Sequence, residues 1–118
     1  MSVKNYRELI VWQKAMDLVE MIYQVTRQFP KEELYGLTSQ IRRAAVSIPS
    51  NIAEGQARRS TAEFKNFLSI TQGSRAEVET QVMIAQRLGY LPQKNAEQIL
   101  SLSEEIKRMI YSLTAKLS

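Results

Sequence analysis

Two arginine pairs hold most of the chemistry this sequence offers. Arg42-Arg43 and Arg58-Arg59 bracket the segment RRAAVSIPSNIAEGQARR, whose only acid is Glu54. Four arginines less one glutamate give +3, out of a formal net charge of +4 for the whole chain. The residues before Arg42 carry five bases and five acids, and those after Arg59 carry seven and six. The excess positive charge therefore lies in one segment. Clustered guanidiniums can grip phosphates bidentately, with an affinity that falls as salt rises. The same side chains can instead pair with glutamates of neighbouring helices, or simply solvate a face. For the segment as a whole the reading is a basic contact surface for RNA or DNA, with Arg42, Arg43, Arg58 and Arg59 as its nucleic-acid-binding residues.

Between the pairs lie Ser47, Pro49, Ser50, Asn51 and Glu54. As catalysts the hydroxyls lack a base. As structure, they can satisfy backbone carbonyls around Pro49, at a helix kink or a subunit contact. Glu54 is placed to hold Arg43 or Arg58 along the same face.

Other chemistries fall away by composition. The chain has no histidine and no cysteine. Imidazole bases, thiolate nucleophiles and disulfides are excluded, and with them the usual zinc sites. No phosphate-binding glycine loop and no nucleophile elbow is present. Asp17, the one aspartate, has no obvious companion ligand. The expectation is a protein with no catalytic residues, no cofactor and no metal; a carboxylate-dependent enzyme is the remote alternative. Trp12 and the tyrosines Tyr6, Tyr23, Tyr35, Tyr90 and Tyr111 could stack on bases, but their helical phase favours core or interface packing. No apolar run approaches the roughly 20 residues that span a bilayer. The opening MSVKNYRELIVWQKA lacks the features of a secretory leader. A cytoplasmic protein is expected.

The elements that position these residues follow from periodicity. At 118 residues, 44% hydrophobic and 24% charged, with four glycines and three prolines, one all-α domain over 1–118 is expected. A first helix spans Arg7 to Gln28, with Leu9, Trp12, Met16, Val19, Ile22 and Tyr23 as its apolar stripe. Phe29-Pro30 ends it, and Lys31-Glu32-Glu33 suggests a single turn. A second spans Leu37 to Ala57. There Leu37, Ile41, Ala44, Ala45, Ile48, Ile52 and Gly55 face one way, and Gln40, Arg43, Ser47, Ser50, Asn51, Glu54 and Arg58 the other. The stripe keeps its phase across Pro49, so a kink is expected there; a break at Ile48, with Pro49 opening a new helix, is the alternative.

Ser60-Thr61-Ala62-Glu63 is a capping box opening a third helix that runs to Gly89, a rod on the order of 40 Å long. Gly73 near its middle costs about 1 kcal/mol relative to alanine, which suggests close approach of another backbone. Gly89 reads as a C-cap, and a fourth helix spans Pro92 to Leu117 with Glu104 and Arg108 as an i,i+4 pair. Short connections imply antiparallel neighbours, hence an up-down four-helix bundle with a proline-kinked second helix.

Several blocks then resemble one known family. LIVWQKA (Leu9–Ala15), LTSQIRR (Leu37–Arg43), AVSIPSNIAEG (Ala45–Gly55), FLSITQGS (Phe67–Ser74) and Gly89-Tyr90-Leu91 are similar to the four-helix-bundle proteins encoded in 23S rRNA intervening sequences. The resemblance covers nearly the whole chain. It implies an up-down bundle that associates into a ring-shaped homopentamer. It also implies kinship with accessory proteins of diversity-generating retroelements, which bind nucleic acid and a reverse transcriptase. The expected partners are thus the chain itself, structured RNA or DNA, and a reverse transcriptase or other protein. The reading is a non-enzymatic homo-oligomeric bundle that binds RNA or DNA electrostatically through its second helix. The alternative is a scaffold subunit whose second helix is a subunit interface without nucleic-acid contact.

Overall fold

The computed structural model describes residues 5–117. Met1–Lys4, part of the opening read above as free of a leader, lie outside them. Four helices account for most of the described chain: α1 Ile10–Thr26, α2 Leu37–Gln56, α3 Thr61–Arg87 and α4 Gln93–Lys116. Short 3-10 turns at Tyr6–Glu8 and Lys31–Glu33 precede α1 and α2. The pairs α1–α2, α2–α3, α3–α4 and α1–α4 pack side by side, and the backbones of the diagonal pairs stay farther apart, as in an up-down four-helix bundle. No helix among the described residues is long and apolar enough to cross a membrane.

The helix ends are set by local chemistry. Ser60 Oγ accepts from the Glu63 amide at 3.1 Å, which is the first half of the capping box. The Glu63 carboxylate reaches back to the Ser60 hydroxyl at 3.2 Å rather than to its backbone N–H. Gly89 stands at φ 79°, and a Schellman motif closes α3: Tyr90 N–H donates to Ala85 O and Gly89 N–H to Gln86 O. The first helix starts later than periodicity suggested, because Tyr6–Glu8 close a separate turn capped by Asn5 Oδ1.

The second helix runs unbroken through Pro49, so the alternative of a break at Ile48 is not realised. Pro49 cannot donate to the carbonyl of Ala45. Ser47 Oγ, Ser50 Oγ and Asn51 Nδ2 donate to the carbonyls of Ala44, Val46 and Ser47, on either side of that one. These side chains brace the turn around the proline, but none of the three reaches Ala45 O.

Two expectations about packing need correction. The buried face of α1 is Val11, Ala15, Leu18, Ile22 and Thr26, not the stripe through Trp12, Met16 and Tyr23. This helix is apolar on two faces. The neighbouring helices bury the one with small Ala15 at its centre and leave Met16 and Tyr23 exposed. Gly73 is the second case. A Cβ built there meets nothing within 4 Å, so no backbone of the same chain approaches it. The close approach is at Gly55, where a Cβ would lie 2.6 Å from Phe67 Cβ and 3.0 Å from Phe64 Cδ1. The missing side chain at Gly55 is what lets α2 and α3 pack at their shared loop.

Candidate functional site

The four arginines are not equivalent. Arg42 and Arg43 stand near the start of α2, and Arg58 and Arg59 just past its end. The helix between Arg42 and its end at Gln56 alone separates the pairs by about 21 Å. Arg42 Nε donates to Thr26 Oγ1 at 2.8 Å, and its guanidinium lies 4.5 Å from the Tyr23 ring centre. One edge of that cation is therefore fixed against the end of α1, held by a hydrogen bond and a cation–π contact. Arg43 makes no hydrogen bond and no ion pair among the described residues. Neither arginine of this pair meets a carboxylate.

The second pair is arranged differently. Arg58 bonds Glu54 at 2.8 Å, lies 3.6 Å from Glu63 and packs over the Phe67 ring at 4.9 Å. Glu54 thus holds Arg58, one of the two partners its position allowed. Two acids offset the two bases there, and of this pair only Arg59 makes no hydrogen bond or ion pair among the described residues. The uncompensated charge of the segment concentrates at Arg42-Arg43.

That pair lines a surface groove of about 500 Å³ with Tyr23, Tyr35, Thr38 and Ser39. Tyr35 belongs to no helix stripe; it sits in the connection before α2 and is 94% exposed. Two guanidiniums and two phenol rings share this groove with the exposed apolar side chains of Leu34 and Val46, a surface that offers cations for phosphate and a π-face. Periodicity grouped Tyr35 with the core or interface aromatics. Its place in the KEELYG connection, off any stripe, was the available signal of exposure.

A second polar cluster escaped the sequence reading. Arg75 is 8% exposed in the middle of α3. Its Nε donates to Gln72 Oε1, its Nη1 pairs with Glu79, and Ser103 of α4 donates to the same Glu79 oxygen at 2.6 Å. Arg75 falls on the apolar phase of Leu68, Thr71, Val78 and Val82, with an acid four residues on. That was its only signal in the sequence. The network links α3 to α4, and its donors and acceptors are spent on one another. Among the described residues no group of three or more acidic, histidine or cysteine side chains could hold a metal ion.

The family model of the 23S rRNA-intervening sequence proteins matches residues 7–112. The chain belongs to that family. The intervening-sequence fold is also seen in a crystal structure at 1.70 Å of a protein of unknown function from the S23 ribosomal protein family of Bacteroides thetaiotaomicron. That protein is 25% identical, with a TM-score of 0.80 over 88% of this chain and 97% of the other. No curated protein matches the chain. Family membership thus accounts for the bundle, but brings no assigned activity with it.

Proposed function

We propose that this intervening-sequence protein is a non-enzymatic, homo-oligomeric helical bundle that binds RNA or DNA electrostatically through the start of α2. The observation that carries the reading is the Arg42-Arg43 pair. Two adjacent guanidiniums without a carboxylate partner, beside a fully presented Tyr35, form a surface where Arg43 and the remaining edge of Arg42 can meet phosphate. Arg59 adds a further cation, and Arg58 is held in place by its acids. Base-edge recognition in a groove plays little part, since no element is shaped to enter one.

Homo-oligomer formation is supported by the outer face of α3. Ile70, Gly73, Thr80 and Ile84 share that face, and both isoleucines are exposed. A glycine that nothing approaches within its own chain is suited to contact with a second copy. A ring of five is the form that the family resemblance implies, in the cytoplasm and alongside a reverse transcriptase or another protein.

Binding measured by fluorescence anisotropy between low and moderate salt tests the reading. Replacing Arg42 and Arg43 by alanine lowers affinity at least tenfold and reduces the log–log salt slope by about 0.7–0.9 per lost phosphate contact, while the oligomer survives. Replacing Arg58 and Arg59 has a smaller effect. Absent or salt-independent binding to structured RNA, single strands and duplexes overturns it.

One observation favours the scaffold reading instead. An apolar groove of about 370 Å³ between α1 and α2 is lined by Trp12, Met16, Val19, Val46 and Pro49, a surface fit for a protein partner. If the Arg42/Arg43 replacements dissociate the oligomer, that reading replaces the first.

A further inference from the structure

Beside the arginine groove a second cleft of about 590 Å³ opens between α2 and α3. It exists because these helices meet closely at Gly55 but carry small side chains, Ala44, Ser47 and Ser74, farther along. Tyr35, Ser39 and Arg43 belong to both the groove and the cleft. At its other side the cleft reaches Glu77 and Gln81 of α3, next to the exposed face through Gly73 and Ile84. It therefore has a polarity: a cation at one side and acceptors at the other.

Apart from Ser47, whose hydroxyl donates to Ala44 O, the polar side chains of this cleft are left unspent among the described residues. Gln81 Oε1 is shut away from solvent with no hydrogen-bond partner, the only such side-chain atom among the described residues. A buried acceptor without a donor is unfavourable, and native structures seldom leave one. Ser74 is 7% exposed, yet its hydroxyl bonds nothing among the described residues. Nor do the side chains of Ser39, Arg43 and Glu77. The Tyr35 ring stands in solvent beside them.

We propose that this cleft receives one unstacked nucleotide of a single-stranded nucleic acid. The phosphate meets Arg43, the base lies against Tyr35, and an exocyclic amine of the base donates to Glu77 and to the Gln81 amide oxygen, which turns from the wall into the cleft to accept it. The inference rests on the nucleic-acid reading above and names the form of nucleic acid the protein takes. A second phosphate cannot fill the far side, because the Glu77 carboxylate repels it. A group bearing N–H donors can. Adenine and cytosine present an amine where uracil and thymine present a carbonyl oxygen. Single strands are favoured over duplexes because only an unpaired base can turn its edge into a cleft and its face onto an aromatic ring.

Anisotropy titrations with ten-nucleotide RNA and DNA strands of A, C, or U/T, and with a hairpin duplex, test the inference. Strands of A or C bind the wild-type chain several-fold more tightly than U or T strands and the duplex. Tyr35→Ala and Gln81→Leu each lower affinity for A and C strands about five- to tenfold and leave the salt slope unchanged. Arg43→Ala lowers affinity and reduces the slope by about 0.7 on single strands. Tyr35 is so exposed that its replacement leaves the fold intact, and circular dichroism with light scattering checks both variants. If Tyr35→Ala and Gln81→Leu bind like wild type while Arg42/Arg43 replacements lose binding, the cleft inference fails and the nucleic-acid reading stands. If no strand or duplex binds, both fail. If Gln81→Leu changes the oligomeric state, the cleft is a subunit contact and the inference is overturned.

Discussion

A single methyl group separates the roles of two glycines. At Gly55 an added Cβ sits 2.6 Å from Phe67 Cβ, an atom fixed to the α3 backbone that no rotamer change can move aside. Gly55→Ala therefore forces the two helices apart and costs about 1–3 kcal/mol. At Gly73 the same methyl enters open space. Gly73→Ala removes the conformational freedom of an exposed helical glycine and stabilises the folded chain by about 0.5–1 kcal/mol. Urea unfolding at low protein concentration should show midpoints moving in opposite directions for the two variants. A shift of the same sign in both contradicts the packing described for α2 and α3. Sequence pattern placed Gly55 on the apolar side of its helix but assigned the close approach to Gly73. The approach depends on Phe67, on another helix, and no local spacing reports it.

Among the elements, the start of α2 lacks a capping side chain of its own, because Gly36 stands at the N-cap. Glu33 supplies one from the preceding turn: its Oε1 accepts from Leu37 N–H at 3.1 Å, and its Oε2 accepts from the Tyr90 hydroxyl at 2.9 Å. One carboxylate thus ties the turn before α2 to the loop between α3 and α4. Glu33→Ala removes both bonds and costs about 1–2 kcal/mol in thermal or urea unfolding. The same contact acts on Tyr90. Its hydrogen bond to Glu33, then burial, then the negative charges of Glu33 and Glu32 raise its pKa above the ordinary 10.0. The folded chain then holds the phenolic proton more tightly than the unfolded chain. The stabilisation is complete below pH 10.0 and is lost as pH rises through the elevated folded value. Urea midpoints of wild type fall more steeply above pH 10 than those of Tyr90→Phe, and equal slopes would rule the contact out. What sequence pattern reveals about elements follows the same division. Ser60, Gly89 and the Glu104–Arg108 pair were legible because each acts within a few residues. The buried face of α1 was not, since Val11, Ala15 and Leu18 compete with Trp12, Met16 and Val19, and only the packed neighbours decide. The arginine segment was legible as a place. The neutralisation of Arg58 was partly so, because Glu54 is local, whereas the anchoring of Arg42 on Thr26 belongs to the tertiary fold. Arg75 was not singled out, since its burial depends on Ser103, which meets its network from α4.

The whole molecule is a rod of 45 × 24 × 19 Å with the Arg42-Arg43 pair, free of carboxylates, toward one end of α2 and an exposed apolar line along α3. Ile70 and Ile84 lie about 21 Å apart along that line, with Gly73, Glu77 and Thr80 between them. If this face joins copies of the chain, it sets the spacing of the Arg42-Arg43 surfaces, and a long nucleic acid can engage several at once. The second and later contacts then form at a high effective concentration, so avidity exceeds the affinity of one surface. Replacing Ile70 and Ile84 by glutamate places two charges on the line without touching the arginines. Light scattering of the wild type gives the mass of an oligomer, and that of the double variant gives the mass of one chain, with helical circular dichroism unchanged. The double variant binds a long RNA at least tenfold more weakly, yet binds a ten-nucleotide strand as wild type does, since a short strand spans one surface only. A wild-type monomer, or a variant that keeps its oligomeric mass, removes the α3 face from the assembly. Equal losses on long and short strands would mean that the substitutions act on the binding surface itself rather than on the number of surfaces joined.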